Sequence, residues 1–310
     1  MQVAEAYQIC REIARKEAKN FYYSFVALPP AKRNAICAVY AFMRHADDLS
    51  DDESLPIDQR RANLEQWLIA WREASCRETS HDGDTNDPVF VALSDAQRRF
   101  DIPNQLLEQL VEGTTMDLSR EAVQGNSATG DYQTYPAFAD LYQYCYLVAS
   151  VVGLVCIRIF GYQDKRAEKL AEETGIAFQL TNILRDVRED AERRRVYLPR
   201  EDLGRFGVSV EQLSSLGGAA PAELRELLRF EAERAERYYQ SGRELLPLIV
   251  PDSRPAMWVL ITIYHRLLHR IKASNYEVFR SRVRVPTYEK LAILAWGILR
   301  VLGNRLLLRV

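Results

Sequence analysis

Two stretches decide how this chain is read: YAFMRHADDLSDD, residues 40–52, and GIAFQLTNILRDVRED, residues 175–190. In the first, Tyr40, Arg44, Asp47 and Asp51 recur at steps of four, three and four. In the second, Gly175, Gln179, Asn182, Asp186 and Asp190 recur at four, three, four and four. An α-helix brings residues three and four apart onto one face, so each stretch predicts an acidic stripe on an otherwise apolar helix. Like charges one turn apart destabilise an isolated helix by roughly 0.2–0.5 kcal/mol per pair, and such a stripe calls for a cation. Carboxylates and an amide oxygen are hard ligands that suit Mg2+, an ion that shares its coordination sphere with water and phosphate oxygens. The plain alternative is a pair of solvated helix faces, the usual fate of a charge run. Two clusters, both set in apolar helices, weigh against it. Facing each other across a helical core, the stripes would hold a diphosphate through bridging metals.

Arginines close to the stripes point the same way. Arg44 lies on the first, Arg185 adjoins Asp186, and Arg193, Arg194 and Arg195 lead from the second towards Tyr197. The guanidinium fork matches phosphate oxygens. Intrahelical pairing with Glu189, Asp190 and Glu192 is the simpler reading for Arg188 and Arg193, and fits Arg195 less well because it lies at the helix exit.

Outward from these stretches the whole chain reads as helix. Pro29–Pro30 ends a first helix, and 31–50 is apolar nearly all round. Leu64, Trp67, Leu68 and Trp71 keep helical spacing after Pro56. Helices are expected over 89–100, 104–116, 137–160 and 166–192, with three more beginning at Pro221, Ser253 and Pro286; 131–136 and 204–221 are expected to be connectors. No composition break marks a boundary, so one large helical domain over 1–310 is expected.

The 310 residues are 47% hydrophobic and 27% charged, ample for a sizeable core. A net charge of −2 gives no sign of a nucleic-acid partner. The charge is uneven: 280–310 carries seven basic residues against Glu289. Five scattered cysteines without metal spacing favour reduced thiols in a cytoplasmic compartment. The first twenty residues mix charged and apolar types, unlike a signal peptide. The apolar run 146–161 is broken by Arg158 and reads as a buried helix. The final LAILAWGILRVLGNRLLLRV reads as a core helix with a basic outer face or, alternatively, as a peripheral membrane contact. His265 and His269 form an i,i+4 pair, but Arg266 and Arg270 flank it and no third ligand is apparent in sequence.

The motifs resemble those of the squalene/phytoene synthase family, the head-to-head prenyl synthases, across essentially the full chain. Residues 44–52 resemble the family's first aspartate-rich motif, and 179–190 with Arg195-Val196-Tyr197-Leu198-Pro199 resemble its second. Lys19-Asn20-Phe21, Met116-Asp117-Leu118, Tyr144-Cys145-Tyr146 through Gly153, Tyr264 and Asn275-Tyr276 extend the match. The resemblance implies an all-α isoprenoid-synthase fold around a central cavity, two or three Mg2+ ions and a farnesyl diphosphate-type substrate. It assigns Asp47, Asp51, Asn182, Asp186 and Asp190 to the metal sites. Lys19, Arg44, Arg185, Arg195 and Tyr197 would contact diphosphate or its flap, Gln179 and Phe21 would join the substrate site, and Asp117 would stand near it. Tyr40 and Tyr264 would line the reaction centre, where Phe21, Phe25 and Tyr40 would stabilise an allylic cation through their ring faces.

Tyr40 is further expected to help manage a proton, against the simpler reading of a core aromatic with a satisfied hydroxyl. Family members stop at presqualene diphosphate, rearrange it to dehydrosqualene, reduce it to squalene with NADPH, or use longer donors to make phytoene. Leucine at 147, where a tyrosine is frequent, leaves the second half-reaction and the NADPH requirement open. Bulky Phe25 favours the shorter donor, and Arg194 replaces a frequent glycine. The reading is therefore farnesyl diphosphate condensation to presqualene diphosphate, extending or not to squalene or dehydrosqualene. Phytoene synthesis from geranylgeranyl diphosphate is the second choice, and a non-catalytic lipid-handling or assembly protein the third. The oligomeric state is not legible.

Overall fold

The computed structural model describes residues 1–76, 87–125, 132–215 and 218–307, without the side chains of 19, 20, 76, 117, 119–125 and 300–307. The order begins with α1 (Val3–Glu17), α2 (Lys19–Val26), α3 (Pro30–Ser50), α4 (Ile57–Cys76), α5 (Pro88–Phe100) and α6 (Asn104–Gly125). Strand β1 (Gln133–Tyr135), α7 (Phe138–Cys145), a π-helical turn (Tyr146–Ser150) and α8 (Val151–Phe160) follow. Then come α9 (Arg166–Glu192), β2 (Arg195–Pro199), α10 (Arg200–Arg205), α11 (Val210–Ser215), α12 (Ala222–Leu245), α13 (Arg254–Ala273) and α14 (Thr287–Leu307). Prolines start several of these helices: Pro30, Pro88 and Pro255 sit in first turns, where a missing N–H costs nothing. Asp87 caps α5, accepting from the backbone N–H of Val89 at 2.8 Å.

The buried side chains form two large cores. The first is built from α1, α3, α4, α5, α6 and α8, with Phe42, Trp67, Trp71 and Phe90 at its centre. The second gathers α7, most of α9, β2, α12, α13 and the 276–285 segment. Helix α9 passes from one to the other: Ala171 belongs to the first core and Ile176 to the second. Phe21, Met116 and Ile261 pack against both. Lys32 at the start of α3 ties the frame, donating to Phe160 O and Asp252 Oδ1 at 2.7 Å each and to Ser253 Oγ at 2.9 Å.

The fold is the all-α one expected; α6 runs past 116 to Gly125 and the expected 204–221 connector carries α11, and three further departures bear on the site and surface. The expected helix over 137–160 is interrupted by the π-helical turn. Gly175 of α9 lies against it so closely that an added Cβ would be 2.6 Å from Ser150 Cα. Gly113 of α6 approaches from elsewhere, its would-be Cβ 3.1 Å from Leu147 O. Residues 138–160 are long and apolar enough to cross a membrane by length and composition, and half of their most apolar stretch is buried within the molecule.

The second departure is the 131–136 connector, part of which becomes β1 and pairs in parallel with β2, Gln133 opposite Arg195. Gln133 N–H donates to Arg194 O at 2.9 Å, and Arg194 takes a left-handed φ of 58°. Glycine is strain-free there and a β-branched residue is not. Arg194→Gly is therefore expected to be more stable than Arg194→Val by about 1–2 kcal/mol; equal midpoints in urea would contradict it.

The third departure is the outer face of α14. Ile293 packs inward on Val259 and Ile263, while Tyr288, Leu291, Trp296 and Leu299 are exposed. Over the described side chains that face is apolar rather than basic.

Candidate active site

Both stripes form on the helices expected. Asp47 lies in the last turn of α3 and Asp51 caps its C-terminus, its N–H donating to Asp47 O at 2.9 Å. Burial, reinforced by the neighbouring charge of Asp51, pushes the Asp47 carboxyl up to about 6. Thr114 of α6 reaches Asp47 Oδ1 at 3.4 Å, a neighbour that sequence reasoning missed. Arg44 bonds Asp48, one turn on, rather than the stripe carboxylates. The side chains of Lys19 and Asp117 lie outside the described residues; both positions are helical.

On α9, Asn182 Nδ2 donates to Gln179 Oε1 at 3.4 Å and also interacts with Tyr264. Its Oδ1 is buried with no hydrogen-bond partner. A buried acceptor left unmatched is costly, and here it belongs to the acidic stripe. Asp186 is shared by two guanidiniums. Arg185 bonds it in a fork, Nε to Oδ1 at 2.7 Å and Nη2 to Oδ2, and Arg282 Nη2 lies 2.9 Å from Oδ1. Arg282 also reaches Glu189 at 3.2 Å. Burial opposes the Arg185 charge, but the bond to Asp186 and the neighbouring negative charges, that of Asp186 first, together outweigh it and raise its pKa. Burial, then the charge of Asp186, pushes Asp190 up to about 7. Asp190, Arg195 and Tyr197 line a common cavity of about 10 Å3, and Arg195 partly offsets the shift of Asp190. Tyr197 is buried, stacked on Tyr144 at 4.9 Å and Tyr135 at 5.9 Å.

Helix α2 links the two stripes. Its Phe25 meets Tyr40 of α3 edge-on at 6.2 Å, and its Phe21, one turn away, meets Tyr264 at 5.7 Å. Tyr264 stacks on Phe178 of α9 at 4.4 Å. An aromatic wall thus runs from the helix of Asp47 to the helix of Asn182. Burial pushes the hydroxyls of Tyr40 and Tyr264 up to about 12, so both stay protonated at neutral pH. Leu147 is buried in the first core.

The donor set fits hard divalent ions: carboxylates on two helices and a buried amide oxygen with no other partner. Ionising two half-shielded carboxyls is the linked cost. Their folded-state pKa values of about 6 and 7 lie above the ordinary carboxylate range. The folded protein therefore holds more protons than the unfolded one between about pH 4 and 7, and this contribution to stability falls as pH rises. Mg2+ binding would release those protons. The thermal shift given by Mg2+ over EDTA is expected to be larger at pH 7.5 than at pH 5.5; a shift independent of pH would count against it.

Fold and site together define an all-helical protein of the isoprenoid-synthase type. A crystal structure of a dehydrosqualene synthase superposes with a TM-score of 0.81 at 30% identity, over 97% of this chain and 98% of that one. Squalene synthase HpnC from Alicyclobacillus acidocaldarius gives 0.75 at 26% identity, over 88% and 95%. In sequence, the chain is 34% identical to 15-cis-phytoene synthase of Synechococcus elongatus, over 96% of this chain and 94% of that one. It is 36% identical to phytoene synthase of Mycobacterium tuberculosis, over 95% and 91%. The squalene/phytoene synthase family model matches residues 14–289, and the chain belongs to that family. Its members are head-to-head condensing prenyltransferases that use prenyl diphosphates.

Proposed function

We propose that this chain condenses two farnesyl diphosphates head to head into presqualene diphosphate. The observation that carries the reading is the aromatic wall of Phe25, Tyr40, Phe21, Tyr264 and Phe178 spanning two acidic stripes. Each stripe has arginines beside it, Arg44 at the first and Arg185 and Arg282 at the second. Mg2+, when bound by Asp47, Asp51, Asn182, Asp186 and Asp190, supplies Lewis-acid stabilisation of the departing diphosphate. The arginines orient diphosphate oxygens. The rings exclude water and stabilise the allylic cation left at C1 of the donor. The 2,3-double bond of the second farnesyl chain attacks that carbon, and loss of one proton closes the cyclopropane while the second diphosphate stays attached. Tyr40, protonated at rest, suits the role of holding a hydrogen bond to the departing diphosphate and relaying that proton.

Phe25 is buried against Tyr40 and supports the shorter donor. The sequence relatives named phytoene synthase favour geranylgeranyl diphosphate instead. The deciding experiment incubates purified protein with each donor and Mg2+, with and without NADPH and with EDTA, and identifies products by mass. A C30 cyclopropyl diphosphate from farnesyl diphosphate is expected, with Phe25→Ala gaining C40 product. C40 product from the unaltered chain would replace this reading by the second. No condensation with either donor would leave a lipid-handling protein. Squalene formed only with NADPH would extend the reaction by a reduction.

A cytoplasmic enzyme with an oily product works best beside a bilayer, and α14 supports peripheral contact there. Trp296 and Tyr288 suit a headgroup boundary, Leu291 and Leu299 suit its apolar side, and the basic 280–310 segment suits anionic lipid. Sedimentation with phosphatidylglycerol vesicles is expected, and its loss in Trp296→Glu/Leu299→Glu; protein remaining in the supernatant throughout would refute the contact.

A further inference from the structure

The i,i+4 histidines of α13 gain in three dimensions the partner they lack in sequence. Glu236 of α12, 29 residues before His265, places Oε2 2.8 Å from His265 Nε2. The His265 and His269 rings lie 4.8 Å apart, and one ligand atom from each of the three residues falls within 4.8 Å of the others. We propose that Glu236, His265 and His269 form a site for one late first-row divalent ion, Zn2+ in preference to Mg2+, separate from the prenyl diphosphate site.

Three observations support it, and one group competes with it. First, the donor chemistry is two imidazoles and one carboxylate, a set that suits Zn2+ with an open fourth position and does not suit Mg2+. Tetrahedral Zn2+ with bonds of about 2.0–2.1 Å needs its ligand atoms roughly 3.4 Å apart. Small side-chain rotations reach that spacing, and His269, the exposed member, is free to make them.

Second, the frame is held. The His265 ring packs 4.7 Å from Tyr239, whose hydroxyl bonds Thr181 Oγ1 at 2.9 Å inside the second core. Third, the arginines that argued against a site are engaged elsewhere. Arg266 Nε lies 2.9 Å from Glu289 Oε1, and Arg270 Nη2 lies 2.6 Å from Oε2 of the same residue. The competitor is a cation already at the carboxylate: Lys272 Nζ is 3.1 Å from Glu236 Oε1. It leaves Oε2 for His265, and it is the group that an arriving ion must outcompete.

The site is distinct from the reaction centre although His265 adjoins Tyr264 in sequence. Tyr264 meets Phe21 and Phe178, whereas His265 meets Glu236 and Tyr239.

The test titrates Zn2+ into the full chain in saturating Mg2+, so that the carboxylate stripes are filled. Binding is read by calorimetry and by the ring 15N resonances of the four histidines. One equivalent of Zn2+ is expected, shifting two histidine rings, lost in His269→Ala and tighter in Lys272→Met. His269→Ala is exposed at the substituted position and should keep the unfolding transition of the parent. Glu236→Gln, retaining shape and hydrogen bonding, should weaken binding and serves if the alanine variant does not fold. Equal stoichiometry and affinity in the parent, His269→Ala and Glu236→Gln, or Zn2+ uptake with all four rings unmoved, would overturn the proposal.

Discussion

Asp186→Asn is expected to lower kcat by roughly 10²–10³-fold, the loss typical of removing one preorganised charge-stabilising group, while affinity for inorganic diphosphate is kept or increased. The asymmetry follows from the neighbours of Asp186. Its carboxylate stands between Arg185 and Arg282, and its own side chain and that of Arg185 are each 15% exposed. Asparagine keeps the shape but removes the anion, so the ligand set for a divalent ion loses a charge and two guanidiniums lose their shared partner. Those guanidiniums remain good diphosphate ligands. Without diphosphate the variant should also be less stable by about 1–3 kcal/mol, the cost of stranding a shielded charged group. Adding inorganic diphosphate should return most of that loss. Steady-state kinetics and melts with and without diphosphate check the three outcomes together. A kcat close to that of the parent would remove Asp186 from the reaction.

Gly175→Ala is the second large effect, and it acts through backbone. The new Cβ would lie 2.6 Å from Ser150 Cα, 2.8 Å from Ser150 N and 2.9 Å from Ala149 C. None of these atoms can swing aside as a side-chain tip would. The π-helical turn and α9 must separate, at a cost of about 1–3 kcal/mol or more for overpacking a close contact. The contact is tight elsewhere too: Ser150 Oγ donates to Glu172 O at 2.6 Å, and a Cβ at Gly153 would be 3.1 Å from Ala171 O. Gln179 and Asn182 begin one turn further along α9, so activity should fall with stability. Urea unfolding and turnover of the same preparation test this. Parent-like values for both would mean that the helices separate at no cost.

These two residues mark how far a position on a helix face can be read from sequence and where that reading stops. Asp186 was legible because a carboxylate stripe has a period, and a period survives without coordinates. Gly175 has the same period and was grouped with the polar stripe, but it serves as a spacer for a neighbouring backbone. Nothing local distinguishes those roles. The helices are legible from apolar spacing and from Pro29–Pro30, Pro56, Pro221 and Pro286, which mark helix boundaries within one turn of themselves. The missed features depend on distant chain segments. Arg282 meets Asp186 across 96 residues, Thr114 meets Asp47 across 67, and Gln133 pairs with Arg195 on the other side of α9. Arg44 is legible as a member of the first stripe, and its bond to Asp48 follows from Asp48 standing one turn on, at i+4.

The division into two cores, with α9 crossing between them near Gly175, governs how substitutions combine. Asp47 is carried by a helix of one core, and Asn182 and Asp186 by the stretch of α9 in the other. Pairs of changes placed in different cores should therefore sum, as distant sites without shared partners do. Pairs that include Phe21, Met116 or Ile261, which touch both cores, should not. Coupling between the cores is therefore expected at those three side chains and at the contact of α9 with the π-helical turn, and Phe21, which meets Tyr264, belongs to the aromatic wall as well.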